Sequence, residues 1–113
     1  MTGQMFISVY DDTHDKFADK IEYDLWRINN TDRIFIKHDI VHENNQNILF
    51  TVNTIDDFGC YEVVLNIKDY FERFNENIDL PTSQYTIPVG MNELDKSYHL
   101  GIHITPTQVS CVL

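Results

Sequence analysis

The stretch RIFIKHDIVHENNQNILFTVNTI, residues 33–55, indicates the fold class of this chain. Both of its ends alternate apolar and polar residues, which is the two-residue period of a half-buried β-strand. The apolar positions are Ile34, Ile36, Ile40, Ile48, Phe50 and Val52. The polar residues ENNQ between the two ends are typical of a short turn. We therefore predict a β-hairpin made of residues 33–42 and 47–55.

Further segments on both sides of this hairpin also predict strands. They are MFISVY (5–10), CYEVVLNI (60–67), YTIPVG (85–90) and YHLGIHIT (98–105), and VSCVL adds a candidate strand at the end of the chain. The segment 60–67 also allows a helix, but its alternation and its β-branched residues favour a strand. Pro88 indicates an edge strand, because proline has no backbone N–H to donate. Consecutive strands with short connections pair antiparallel, since parallel neighbours need long crossovers.

Two segments have the spacing of amphipathic helices. In residues 13–28 one helical stripe collects five apolar side chains, which are Phe17, Ala18, Ile21, Leu25 and Ile28. Residues 68–78 predict a second helix, with Tyr70, Phe71 and Phe74 turned inward. The predicted order is β-α-β-β-β-α-β-β, a single α+β domain spanning residues 1–113, with a largely antiparallel sheet and two helices on one of its faces.

The outer face of the first predicted helix carries an acidic stripe with a large aromatic residue in it. The stripe consists of Asp15, Asp19, Glu22, Tyr23 and Trp26, and Asp69, Glu72 and Glu76 form a second acidic face on the other helix. A tryptophan left in water forfeits on the order of 2–3 kcal/mol of burial, and tryptophan often anchors protein interfaces. These eight residues are the predicted partner-binding surface. The alternative is that another part of the chain covers Trp26.

The charge balance limits the classes of partner. The formal net charge is -10, from 18 acidic and 8 basic residues. Such a chain repels nucleic acid and anionic membranes and attracts basic protein surfaces. The sequence shows neither a signal peptide nor an apolar run of roughly 20 residues, so a cytoplasmic location is expected. Cys60 and Cys111 are expected to be free thiols.

The histidines are the only candidates for proton transfer. His38 and His42 are four residues apart, as are His99 and His103, but both pairs fall in predicted strands. Four residues along a strand span about 13 Å, too far to hold one ion. We expect surface histidines, with a zinc site or an acid–base histidine as alternatives. The sequence has no glycine-rich phosphate loop and no loop with calcium-ligand spacing, so no catalytic residue, metal or cofactor is predicted.

In length, acidity and lack of motifs the chain resembles the immunity proteins that protect bacteria from nuclease toxins, including those of contact-dependent inhibition systems. The resemblance implies a non-enzymatic protein that neutralises a basic partner, in the first instance a nuclease toxin domain. One alternative is a phage-type DNA mimic directed at a host defence protein. Another is a small hydrolase or nuclease that uses His99, His103 or His38. The sequence leaves the oligomeric state open.

Overall fold

Strands make up most of this protein. It is described by a computed structural model that covers residues 2–43, 47–74 and 84–113. The strands are β1 (Gly3–Asp11), β2 (Lys16–Phe17), β3 (Ile21–Asn29), β4 (Asp32–Val41), β5 (Asn47–Val52), β6 (Gly59–Asn66), β7 (Gln84–Met91), β8 (Ser97–Thr105) and β9 (Gln108–Val112). A 3-10 turn (Ile55–Asp57) precedes β6, and a short helix α1 (Ile67–Glu72) follows it.

These strands form two sheets that pack as a sandwich. The first sheet has the order β2-β1-β8-β9, and β5 also pairs with β1, along the part of that strand that β2 does not reach. The second sheet has the order β4-β3-β6-β7. The β1–β8 pair is parallel and the other pairs are antiparallel. The largely antiparallel architecture predicted from the sequence is therefore confirmed, but the strands form two sheets instead of one sheet with two helices on one face.

The core follows from strand alternation in both sheets. Buried and less buried side chains alternate along much of β1, β3, β6, β7 and β8, for example at Ile21, Tyr23 and Leu25 in β3, whereas β4 is mostly exposed. Equivalent positions in other strands are Met5, Ile7, Val9, Tyr61, Val63, Leu65, Leu100, Ile102 and Ile104. Each fully buried aliphatic side chain contributes about 1.5–3 kcal/mol to folding. The side chains on the outward side of each sheet do not fill the core, so polar and charged residues can occupy these positions.

One buried carboxylate ties the end of β1 to α1. Asp11 is fully buried and accepts hydrogen bonds from the Tyr70 hydroxyl and from the backbone N–H groups of Thr13 and His14. Its second oxygen lies 2.6 Å from Nδ1 of His14. Because these contacts satisfy the carboxylate, its burial is tolerated.

The helix predicted for residues 13–28 is wrong. Residues 21–29 form β3, a central strand between β4 and β6. Asp15 and Lys20 have φ of 55° and 59°, which interrupts a right-handed helix before β3 begins. Isoleucine, tyrosine and leucine at 21, 23 and 25 fit the two-residue period of a strand as well as the 3.6-residue period of a helix. The hydrogen-bonded neighbours on both sides of residues 21–29 stabilise the strand.

The hairpin predicted for residues 33–55 is also wrong, although both of its strands exist. β4 belongs to the second sheet and pairs with β3, whereas β5 belongs to the first sheet and pairs with β1. The connection between them, of which residues 44–46 lie outside the described residues, passes from one sheet to the other. The hairpin that does form joins β3 to β4 at Asn30, which has a φ of 58°. Alternation identifies strands but not their neighbours.

The remaining elements follow the sequence more closely. The strand predicted at 60–67 is confirmed as β6, the strand with Pro88 is an edge strand, and VSCVL contributes to β9. The second predicted helix is confirmed only as the six-residue α1, with Tyr70 and Phe71 buried. Residues 75–78 of that prediction lie outside the described residues. Across the described residues, no helix is long and apolar enough to cross a membrane.

Candidate active site on the outer face of the first sheet

The outward side of the first sheet brings together polar residues that are far apart in the sequence. Strand pairing sets them in two rows across the sheet. One row is Phe17, Tyr10, His103 and Ser110, and the next is Ser8, Gly101 and Val112. These positions point outward because Met5, Ile7, Val9 and Asp11 occupy the inner side of β1.

Ser8 and His99 form the closest polar pair on this face. The Ser8 Oγ lies 2.6 Å from Nε2 of His99, which is exposed, while Ser8 is 8% exposed. When Nε2 carries no proton, the Ser8 hydroxyl donates to it. A hydroxyl that donates to an imidazole is the arrangement in which histidine activates a serine nucleophile.

Gly101 leaves space beside this pair. It lies opposite Ser8 on the neighbouring strand and between His99 and His103 along β8. A Cβ atom added to Gly101 would approach only the backbone oxygen of Val112, at 3.7 Å. On the outward side of β8 there is therefore no side chain between His99 and His103.

On the other side of Gly101, His103 contacts a carboxylate and an aromatic ring. Nδ1 of His103 is 2.9 Å from a carboxylate oxygen of Asp12, and the His103 ring meets Tyr10 edge to face at 5.6 Å. The Tyr10 hydroxyl donates to Asp15. This hydrogen bond is the main cause of a raised pKa of Tyr10.

The acidic residues predicted as one stripe lie in different places. Glu22 and Trp26 lie on the outer face of β3, whereas Tyr23 lies on its inner face and is 2% exposed. Asp15 belongs to the turn after β1, and Asp19 precedes β3, where it accepts from the backbone N–H of Glu43. The five residues do not form one surface, and their role in binding a partner stays a prediction.

Trp26 is partly buried, and two side chains of its own chain contact its ring. The guanidinium of Arg33 lies 4.4 Å from the centre of the indole ring, and Phe35 meets the ring edge to face at 5.3 Å. Arg33 also pairs with Glu62 at 3.2 Å. Both covering residues come from β4, the neighbouring strand.

Two of the three residues predicted for the second acidic face lie on α1. Asp69 receives a hydrogen bond from the side chain of Asn66, and its N–H donates back to that side chain, so it belongs to the start of α1. Glu72 is exposed at the end of the same helix. Glu76 lies outside the described residues.

The four predicted histidines do not converge. His38 lies on the second sheet, 2.6 Å from Asp24, and the hydrogen bond to that carboxylate raises the pKa of His38. His42 follows β4, 3.8 Å from Asp19, while His99 and His103 lie on the first sheet. Among the residues that the structure describes, no group of histidine, cysteine or carboxylate side chains is arranged to hold a metal ion. Cys60 and Cys111 are exposed free thiols.

Sequence reasoning placed His99 and His103 on an outward face but missed Ser8. Ser8 and His99 are separated by 91 positions and meet only because β1 and β8 run parallel in one register. No local pattern in MFISVY indicates a nucleophile, and the signal exists only after strand pairing is known.

The fold resembles that of a known enzyme. No family model and no curated protein match the sequence. Among solved structures, the crystal structure of (S)-allantoin synthase matches 98% of this chain with a TM-score of 0.86 and 15% sequence identity. The match covers 43% of that protein, so this chain spans less than half of its length. At this identity the likeness shows the fold alone, a two-sheet β-sandwich.

This comparison corrects the function predicted from the sequence. The prediction of a non-enzymatic acidic inhibitor, either an immunity protein or a DNA mimic, is wrong, because the fold is found in an enzyme. Acidity and a lack of motifs occur in proteins of many classes and do not specify a fold. A basic protein partner stays a prediction that these comparisons do not test.

Proposed function

We propose that this chain is an acid–base enzyme that cleaves an ester or amide bond in a small molecule, with Ser8 as nucleophile and His99 as its base. The observation that carries the proposal is the 2.6 Å contact between the Ser8 Oγ and Nε2 of His99 beside the space at Gly101. The fold supports it at a coarser level, since the same fold occurs in (S)-allantoin synthase.

The proposed reaction has two steps. In the first, the Ser8 Oγ attacks the carbonyl carbon and its proton passes to Nε2 of His99. His99 then gives that proton to the leaving oxygen or nitrogen, so an acyl group remains on Ser8. In the second step His99 takes a proton from water, the hydroxide attacks the acyl carbon, and the proton returns to Ser8. The products are a carboxylic acid and an alcohol or amine.

The charge of the chain restricts the substrate. The net charge is -10, and two carboxylates, Asp12 and Asp15, lie on the same side of the sheet as Ser8. Such a field lowers the local concentration of anions and raises that of cations. We therefore propose a neutral or cationic substrate, and nucleic acid is disfavoured.

Covalent labelling tests the proposal without knowledge of the substrate. We expect phenylmethylsulfonyl fluoride to modify Ser8 once per chain, as read by intact mass and peptide mapping. Ser8→Ala should remove the adduct, and His99→Gln should slow it by roughly 10²-fold or more, because a positioned base contributes that much. Ser110→Ala, a serine on the same face, is the matched control and should label normally. Wild-type protein in which Ser8 reacts no faster than Ser110 would overturn the proposal.

A further inference from the structure

Three rings lie side by side next to the proposed nucleophile. Tyr10 is flanked by Phe17, with ring centres 5.2 Å apart, and by His103, with ring centres 5.6 Å apart. Phe17 is 42% exposed, although burying it would stabilise the fold. We name Phe17, Tyr10 and His103 the ring row. It presents aromatic surface to solvent two residues along β1 from Ser8.

The charges around the ring row are negative. Asp12 contacts His103 and Asp15 accepts a hydrogen bond from Tyr10, and among the described residues neither carboxylate forms an ion pair with a lysine or arginine. The outward positions described on β1, β2, β8 and β9 hold no lysine or arginine. Lys16, the nearest lysine in the sequence, has its ammonium 5.0 Å from the ring of Phe74 instead.

Aromatic faces and carboxylates together favour one class of ligand. A cation within about 6 Å of a ring centre is attracted by the ring quadrupole, and organic ammonium groups are bound in this way. A carboxylate adds charge attraction, which grows as water is excluded. A neutral apolar group would gain only the ring contact, and an anion would be repelled by both carboxylates.

We infer that the ring row, with Asp12 and Asp15, is a binding subsite for an organic ammonium group, so that the substrate is an ester or amide that carries a positive charge. This inference rests on the proposed function and narrows its substrate class. Positions two apart on a strand are roughly 7 Å apart, so the ammonium and the carbonyl carbon of the substrate should be separated by a similar distance.

Binding to Ser8→Ala tests the subsite without any chemistry. The probes are choline and its neutral carbon analogue 3,3-dimethylbutan-1-ol, followed by calorimetry and by the ring-proton signals of His103. We expect choline to bind roughly tenfold more tightly than the neutral analogue, and to shift the His103 signals. An equal response to both compounds, or a response to neither, would overturn the inference.

Two variants of Tyr10 test whether the preference for choline over its neutral analogue depends on the ring row. Tyr10→Leu should reduce the preference for choline to about twofold or less, because the central ring is lost. Tyr10→Phe keeps the ring but not the hydrogen bond to Asp15, and it should keep most of the preference. A Tyr10→Phe protein that folds but loses the preference would place recognition on the hydroxyl and overturn the ring-based assignment.

The two proposals fail separately. If choline is preferred but Ser8 is not labelled by the sulfonyl fluoride, the ammonium subsite stands and the proposed nucleophile does not. If Ser8 is labelled in a His99-dependent way but choline is not preferred, the enzyme proposal stands and the cationic substrate is wrong.

Discussion

In the first sheet, the residues on one side of a strand fill the core and those on the other side face outward. Ser8, Tyr10 and His103 face outward from the first sheet and carry the proposed chemistry, while their neighbours along the chain fill the core. Local sequence predicted the outward direction of His99 and His103. It did not predict the partner of Ser8, since a contact across 91 positions depends on the pairing of two strands.

Buried tyrosines give a residue-scale prediction for alkaline pH. Burial is the main cause of the raised pKa of Tyr23 and of Tyr70. An unfolded tyrosine ionises near pH 10, so each group stabilises the fold fully below about pH 10 and this stabilisation is lost as the pH rises further. Tyr23→Phe should therefore lose less stability than wild type between pH 8 and pH 11, by on the order of 1 kcal/mol.

Urea unfolding at the two pH values measures this difference. Tyr85→Phe is the matched control, because Tyr85 lies only partly buried at the start of β7. It should follow wild type at both pH values. If Tyr23→Phe also follows wild type, Tyr23 has no share in the alkaline loss of stability.

At the scale of elements, the alternation of apolar and polar residues predicted most strands. It failed where the same residues also fit the period of a helix. Residues 21–29 satisfy both a helical stripe and strand alternation, and only the pairing of β3 with β4 and β6 decides for the strand. The same limit explains the wrong hairpin, since the pattern of residues 33–55 does not show that β4 and β5 belong to different sheets. Single-sequence patterns contain no information about which strands become neighbours.

Truncation of β3 gives an element-scale prediction. Leu25 is fully buried in β3, whereas Ile34 on the adjacent edge strand β4 is 48% exposed. Leu25→Ala should lower the free energy of unfolding by about 2–5 kcal/mol, and Ile34→Ala by no more than about 1 kcal/mol. Denaturant unfolding of both variants measures the difference. Equal losses would contradict the inward orientation of Leu25.

At the scale of the whole molecule, the β-sandwich holds Ser8 and His99 in place, and the net negative charge contributes to the electrostatic field around them. β1 is the strand that links the first sheet, because it pairs with β2, β5 and β8. The proposed nucleophile therefore lies on a strand held from both sides, which favours a fixed geometry for Ser8 and His99. The net charge of -10 is read directly from the sequence, and a basic protein partner for it stays a prediction.

Salt should stabilise this protein. Its charge of -10 produces self-repulsion in the folded state, and added ions screen charges beyond about 10 Å at 0.1 M. We expect the Tm to rise when sodium chloride is raised from about 10 mM to about 150 mM. Differential scanning calorimetry measures this shift. A Tm that falls over this range would mean that surface ion pairs outweigh the repulsion.

The pH dependence of Ser8 labelling tests most directly whether His99 activates Ser8, as proposed. His99 acts as a base only when Nε2 carries no proton, so sulfonylation of Ser8 in wild type should slow on acidification. In His99→Gln the rate should be low throughout and lack this step. Equal rates for the two proteins at every pH would contradict a catalytic link between Ser8 and His99.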